Sequence, residues 1–391
     1  MIRGRVVLAL GISQLVCWGI TYYLIGGFGE RMAADLGWSR GVIYGGFSTA
    51  LLVMGLASPF VGRMIDRQGG RYVMSAGSLL TAAACAGLAL SHSLVAYYAS
   101  WMLLGIAMRM TLYDAAFAVL ARAGGAAARR PMSQITLLGG LASTVFWPLG
   151  QGLAAMFGWR TAVLLYAGIA LLTLPLHMAM PHDSDAGHVP PVPPATAPPR
   201  LTGKAATRAA ILYASSTMLA QFLNAGMSAH MIGILAGMGL AEAASVWVST
   251  LRGVGQSSSR LSELLFGGSL SPRTLNVLAA IMLVAAFAAA LLSAQFLVAA
   301  LTFAFVYGAG NGLMTITRGT LPLAMFDHRT YGALVGRLLA PSFLVAATAP
   351  AVYAAVIDRW GEPAALGLSL AIALATLAAA LAMQLPADPA D

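Results

Sequence analysis

Three arginines lie inside long apolar stretches of the chain, at positions Arg109, Arg252 and Arg318. A guanidinium in apolar surroundings is costly unless it faces water, an acidic partner or a bound anion. Its planar fork binds a carboxylate through two parallel hydrogen bonds. Asp114 is the acid that we weigh against these three cations, so the excess of positive charge favours binding of a small anion such as a mono- or dicarboxylate.

Polar side chains recur at helical spacing near these arginines. The most concentrated series follows steps of three or four residues: Ser245, Ser249, Arg252, Gln256, Ser259 and Glu263. Further candidates for ligand binding lie in three other stretches: Tyr22, Gln221, Asn224 and Asn311. Such residues either line a cavity or join neighbouring helices through hydrogen bonds. For Arg252, the alternative to a ligand is a permanent ion pair with a buried acid.

The charges around Arg109 allow two different roles. Tyr113 follows Arg109 by one turn on the same helix face, whereas Asp114 is rotated by about 140° on an ideal helix. We therefore do not expect Arg109 and Asp114 to pair with each other. Asp114 and Arg318 occupy nearly equivalent places in the two halves, and we predict that they meet, either as a gate or as a site where Asp114 takes up a proton.

Two other side-chain types could do chemistry. His230 is a second candidate for proton coupling because histidine titrates near neutral pH, but helical spacing turns it away from Gln221, where packing is the alternative. Met227 and Met231 have thioethers that suit copper, with core packing as the alternative. No other metal or cofactor site is predicted, and without a G-x-x-x-x-G-K-[ST] motif ATP is not expected.

The composition decides which elements position these side chains. Hydrophobic residues make up 59% of the 391 residues and charged residues 9%, against roughly 25% charge in an ordinary soluble domain. A bilayer-spanning helix needs about 20 apolar residues, and we predict twelve such spans. They are 6–28, 40–63, 72–92, 94–122, 132–156, 160–180, 207–235, 241–266, 274–294, 296–325, 331–357 and 363–384.

A proline-rich segment separates six spans from six. Residues 182–205 are predicted to form a cytoplasmic linker, since proline at this density favours an extended, solvated chain. The six-helix bundles then cover 1–181 and 206–391. Most of the 22 Lys and Arg residues fall on the side of the N-terminus, which places both termini in the cytoplasm. The net charge of +9 is explained in this way without a nucleic-acid surface.

A charged run, GRMIDRQGGR, joins the second and third spans. A small residue there lets two helices approach closely, an acid can cap or bridge a neighbouring helix, and arginines hold the turn at an anionic leaflet. The candidate latch residues are Gly62, Asp66, Arg67, Gly69 and Arg71. At the equivalent place in the second half, residues 260–267 keep an acid, Glu263, and a final glycine.

This run resembles the loop signature G-x-x-x-D-R-x-G-R of the major facilitator superfamily. The resemblance implies two pseudo-symmetric six-helix bundles, alternating access, and a latch in which Arg337 is the candidate partner of Asp66. Segments 112–122, 137–149 and 308–326 resemble the bacterial branch related to monocarboxylate transporters, and the similarity covers essentially the whole chain. In that branch a substrate-binding arginine lies in the middle of the eighth span, a position that Arg252 matches.

The predicted fold class is an all-α integral membrane protein with twelve transmembrane helices. The predicted function is secondary active transport of a small organic anion across a bacterial inner membrane, coupled to protons as in symport. The bilayer and a small solute are the expected partners of a monomer that is not an enzyme and needs no cofactor. The alternatives are an exporter of amphipathic drugs or metabolites and a copper importer that uses Met227 and Met231.

Overall fold

The structure is a computed structural model that describes residues 4–124, 129–180, 201, 203–266, 270–325 and 331–383. Side chains are described for these residues except 66, 121–124, 129, 323, 331–337 and 340. The described chain is almost entirely helical. Its helices are α1 (Gly4–Ile20), α2 (Leu24–Leu36), α3 (Arg40–Gln68), α4 (Gly70–Ala89), α5 (Leu94–Thr111), α6 (Tyr113–Gly124), α7 (Arg129–Gly140), α8 (Ala142–Met178), α9 (Gly203–Gly237), α10 (Glu242–Phe266), α11 (Pro272–Ala290), α12 (Leu297–Met325), α13 (Tyr331–Trp360) and α14 (Glu362–Ala382).

These helices make twelve membrane crossings. In the described chain, 10 helical segments are long and apolar enough to span a membrane. One of them, Arg130–Met178, contains two crossings because it turns back at Gly158, where φ is 78°. The Tyr166 hydroxyl donates to the carbonyl oxygen of Phe146, 20 residues away, although a straight helix would separate them by about 30 Å. Helix α10 is the remaining crossing, and its serines and arginines lower its hydropathy. The predicted twelve-helix, all-α fold is confirmed.

Three crossings of the first half are interrupted near their middle, between α1 and α2, α5 and α6, and α7 and α8. The sequence predicts each as one continuous helix, and the structure corrects this. At the second break Leu112 is extended, with φ −80° and ψ −174°. Breaks leave carbonyl groups without intrahelical partners, and side chains satisfy them: Gln14 donates to the oxygen of Thr111, and Trp147 to that of Tyr23.

Two six-helix bundles result, and they pack against each other through α3 and α13, α10 with α7 and α8, and α2 with α9. Helix α9 begins at Gly203, inside the segment predicted as linker. Residues 181–200 lie outside the described chain, so the linker stays a prediction.

Successive crossings alternate in direction, so helix ends fall into two groups. We call the group that contains the start of α1, the end of α8, the start of α9 and the end of α14 the linker end. We call the other group the loop end; it contains the connections at 36–40, 89–94, 158, 237–242, 290–297 and 360–362.

Candidate functional site

A cavity lies between the two bundles, with a free volume of about 100 Å³. Nearly half of the residues in its wall are aromatic or carry a side-chain amide. The structure brings together most of the predicted site residues here: Tyr22, Tyr113, Asp114, Gln221, Asn224, Asn311 and Arg318. The breaks in the first-half helices supply much of the wall, since Tyr22 and Tyr23 lie at the first break and Leu112 and Tyr113 at the second.

Asn224 is the centre of the polar contacts in this wall. Its Oδ1 accepts hydrogen bonds from Nη2 of Arg252 at 2.7 Å and from Nδ2 of Asn311 at 3.0 Å. Its own Nδ2 donates to the Tyr22 hydroxyl at 3.3 Å. One amide thus connects the first crossing with α9, α10 and α12. Two donors converge on its oxygen as they would on an oxygen of a carboxylate.

Arg252 lies directly behind Asn224 and is fully buried, with 0% of its surface exposed. Nη2 also donates to the Ser228 hydroxyl at 2.9 Å. The guanidinium carbon lies 5.2 Å from the ring centres of both Tyr23 and Tyr307, within cation–π range. Nε and Nη1 have no hydrogen-bond partner. Among the described side chains no carboxylate lies within ion-pair distance of Arg252, so the alternative of a permanent ion pair is not found there.

Close helix packing holds Arg252 in this position. Small residues let helices in a membrane approach until their backbones touch, and α10 and α12 do so. A Cβ atom at Gly308 would clash with the carbonyl oxygen of Arg252, and one at Gly255 with that of Phe305. Replacing either glycine would push α10 away from α12 and displace the guanidinium.

Arg260 is a cavity residue that the sequence analysis did not include. Its position near the end of the predicted span 241–266 suggested a role in topology, but α10 places Arg260 inside the bundle, with 3% of its surface exposed. Nη1 donates to the carbonyl oxygen of Thr136 at 2.6 Å, and Nε has no partner. The signal was present in the spacing, because Arg252, Gln256 and Arg260 recur every four residues on one helix face.

The expectation that Arg109 and Asp114 do not pair is wrong. Nη1 of Arg109 donates to a carboxylate oxygen of Asp114 in an ion pair. The 140° rotation holds for a continuous helix, whereas the chain is extended at Leu112, between the two residues. Asp114 lines the cavity, and Arg109 does not.

Arg318 also lines the cavity, in α12. The Tyr213 hydroxyl donates to its backbone oxygen at 2.7 Å. No carboxylate of the described side chains, Asp114 included, lies within ion-pair distance of the Arg318 guanidinium. The predicted contact between Asp114 and Arg318 is therefore not formed in this conformation.

The remaining sequence candidates lie away from the cavity. His230 is 2% exposed; its Nε2 lies 2.8 Å from the carbonyl oxygen of Pro350, and its ring centre lies 3.9 Å from that of Tyr44. Met227 and Met231 are fully buried in the hydrophobic core. These three side chains do not line the cavity described above.

The latch residues belong to the linker end. Gly62 lies in α3, Arg67 is exposed in its last turn, and Arg71 is in the first turn of α4. Gly69 joins these helices with φ 84°, a conformation that favours glycine. The side chains of Asp66 and Arg337 lie outside the described part, so their contact stays a prediction. Glu263 lines a separate groove formed by α10, α11 and α12.

Comparison with known proteins identifies the family to which this architecture belongs. The family model of the Major Facilitator Superfamily matches residues 10–337. The chain belongs to the major facilitator superfamily. No curated protein sequence is significantly similar to it. Membership of the major facilitator superfamily identifies a membrane transporter and not an enzyme.

Solved structures share the fold of this major facilitator protein over almost its whole length. A mutant of the nucleoside transporter NupG is 13% identical, with a TM-score of 0.75 and coverage of 97% of this chain and 98% of that chain. NupG itself is 14% identical, with a TM-score of 0.69 and the same coverage. A bacterial homolog of the human lysosomal transporter Spinster, inward-facing and occupied, is 14% identical, with a TM-score of 0.64 and coverage of 97% and 94%. At these identities the similarity concerns the fold alone.

Proposed function

We propose that this transporter moves a small organic anion by alternating access. The observation that carries the proposal is the charge of the site. Arg260 and Arg318 line the cavity and Arg252 lies directly behind its wall, whereas Asp114 is neutralised by Arg109. A cavity with excess positive charge attracts anions and repels cations.

The wall is also suited to an organic anion in particular. Trp18, Tyr22 and Tyr23 offer aromatic surface to a carbon skeleton. Gln256 and Asn311 offer amide groups at the same cavity, and Oε1 of Gln256 has no hydrogen-bond partner. Aromatic walls with a few polar groups that fix orientation are typical of small-molecule sites.

We further propose that a proton drives transport and that Asp114 is its carrier. A protonated Asp114 would release Arg109 and add a positive charge at the cavity, which would favour anion binding. When Asp114 exchanges Arg109 for Arg318, it would link the two bundles and close the linker end. His230 is a less favoured carrier because its ring packs against Tyr44 of α3 and Tyr353 of α13 and does not line the cavity.

The remaining parts of the proposal concern topology. The chain lies in a bacterial inner membrane as a monomer, with both termini cytoplasmic. Its bundles extend over 1–181 and 206–391, with a cytoplasmic linker between them. Asp66 and Arg337 form a latch at the linker end when that side is closed.

Drug export and copper import are the competing functions. Copper import lacks support here, because Met227 and Met231 lie in the core and not at the cavity. An amphipathic cation would meet the repulsion of three arginines. A neutral heterocycle is the stronger competitor, since aromatic and amide groups would also suit it and NupG is a nucleoside transporter.

The test is uptake into proteoliposomes under an imposed proton gradient. Radiolabelled lactate and succinate are the anionic solutes, uridine is the neutral one, and tetraphenylphosphonium is the amphipathic cation. We expect uptake of at least one acid that collapses when the gradient is removed. Uptake of uridine or tetraphenylphosphonium without uptake of any acid would overturn the proposal.

A further inference from the structure

We propose that the cargo is a dianion, with two carboxylates held at two separate guanidinium sites along one face of α10. This inference rests on the proposed transport of an organic anion and makes it specific. The first site is formed by Arg252, Asn224 and Asn311. The second is formed by Arg260. The wall of one cavity includes Asn224, Asn311 and Arg260.

The two arginines lie along one face of α10 with room between them. Arg252 and Arg260 are eight residues apart on one helix face, so their Cα atoms lie about 12 Å apart along the axis. Gln256 lies between them and lines the same cavity. This spacing leaves room for a short carbon chain between two carboxylates.

The charges of Arg252 and Arg260 are not compensated by any described carboxylate. Arg252 is 0% exposed and Arg260 is 3% exposed. Each has a buried Nε without a hydrogen-bond partner, and Arg252 has a second such donor in Nη1. No carboxylate of the described side chains lies within ion-pair distance of either arginine. A buried cation without a counter-charge is costly, so two such cations beside one cavity favour a cargo with two negative charges.

Asn224 explains how the first site persists without cargo. Its Oδ1 receives the hydrogen bonds of Arg252 and Asn311 that a carboxylate oxygen would receive. An incoming carboxylate has the same acceptor geometry and a full charge, so it replaces the amide oxygen favourably. At the second site, the carbonyl oxygen of Thr136 accepts one Nη1 hydrogen bond of Arg260, and the unpartnered Nε remains for the cargo.

Half-amides of diacids provide the matched probes. Succinate and succinamate have the same length and shape, but succinamate has one carboxylate and one amide. Their affinities are measured by calorimetry on the purified full-length protein at low salt, together with malonate, glutarate and their half-amides. We expect at least one diacid to bind about tenfold or more tightly than its half-amide, as for loss of a charge-assisted contact.

The Arg260→Gln variant tests the assignment of the second site. It should bind that diacid with the weaker affinity of the half-amide, while its affinity for the half-amide stays near the original value. Arg260→Lys should recover part of the preference because it keeps the charge. The matched control is Arg208→Gln, which removes an exposed arginine of the same bundle and should leave both affinities unchanged. Thermal unfolding checks that each variant is folded.

The outcomes separate this inference from the proposed function. Equal binding of every diacid and its half-amide would leave anion transport standing and overturn the two-charge site. A loss of both affinities in Arg260→Gln would overturn the role of Arg260. Failure of all the acids and half-amides to bind would overturn the proposed function itself.

Discussion

The loop end and the cavity both contain several arginines, but those at the loop end pair with carboxylates and those at the cavity do not. At the loop end, Arg31 pairs with Glu242, and Arg40 pairs with both Glu30 and Asp358. At the cavity, Arg252, Arg260 and Arg318 have no carboxylate partner among the described side chains. The protein thus supplies a carboxylate to the arginines of the loop end. It supplies none, among the described side chains, to the arginines of the cavity.

Solvent exposure explains the difference. The pairs at the loop end are partly exposed, and such pairs contribute about 0–1 kcal/mol each. Arg31–Glu242 and Arg40–Asp358 join the two bundles, so they can break and reform at low cost while the bundles move. A buried arginine without a partner is costly, and an anion that bound there would offset that cost. We therefore expect the paired arginines to permit motion and the unpaired ones to take part in binding.

The largest expected effect comes from removing the deepest unpaired arginine. Arg252→Ala should lower the rate of anion uptake by about 30-fold or more, because losing a buried charged contact costs about 2–5 kcal/mol. Uptake into proteoliposomes is the measurement, with Arg208→Ala as a folded control that keeps its activity. If Arg252→Ala and Arg252→Lys both transport fully, Arg252 does not anchor the cargo.

A carboxylate introduced beside Arg252 should pair with it, as the acids do with the arginines of the loop end. Asn224→Asp places an acid on Arg252, so anion binding should be lost while the unfolding temperature rises by a few °C. Calorimetry and thermal unfolding measure the two effects. Asn276→Asp is the control, because this buried amide of α11 accepts a hydrogen bond from Thr317 and not from a guanidinium, and its unfolding temperature should fall. A lower unfolding temperature in Asn224→Asp would contradict the comparison.

Charge reversal at the loop end should have a smaller effect. Arg31→Glu sets two acids against each other and should shift the conformational equilibrium toward loop-end opening by about fivefold. The double variant with Glu242→Arg should restore the original equilibrium. Spin-label distances between cysteines introduced at Ala34 and Ala243 report the opening; native Cys17 and Cys85 are buried. If the double variant stays open, this pair does not hold the bundles together.

The smallest expected effect concerns the pair at the cavity wall. Asp114→Asn leaves Arg109 unpaired and should raise anion affinity about two- to fivefold, because the pair is partly exposed. Uptake should also lose its dependence on the proton gradient if Asp114 carries the proton. The control is Asp35→Asn, which removes the partner of Arg160 at the loop end and should leave the affinity unchanged. Equal effects of Asp114→Asn and Asp35→Asn on anion affinity would show that the location of the ion pair at the cavity wall does not matter.

The sequence predicted the candidate site unevenly, for physical reasons. Tyr22, Asn224 and Asn311 were identified because their polar groups recur at helical spacing in apolar helices, and all three line the cavity. The pairing of Arg109 with Asp114 was missed because the prediction assumed an ideal helix, whereas the backbone is extended at Leu112.

Arg260 and the aromatic residues around Arg252 were missed for a different reason. Arg260 lies near the end of its span, where basic residues are expected for topology alone. Tyr23, Trp147 and Tyr307 surround one guanidinium but come from distant places in the chain. Only the packing of the first crossing, α8 and α12 around α10 brings them together.

The sequence by itself determined the twelve apolar crossings, their all-α character and the presence of arginines inside them, because a bilayer requires long apolar helices and makes each buried charge conspicuous. Tertiary structure alone decided which of those arginines are paired. Interrupted helices and close glycine contacts set the positions of Asp114, Asn224 and Arg252, and pairing depends on distances of a few ångströms between residues far apart in sequence.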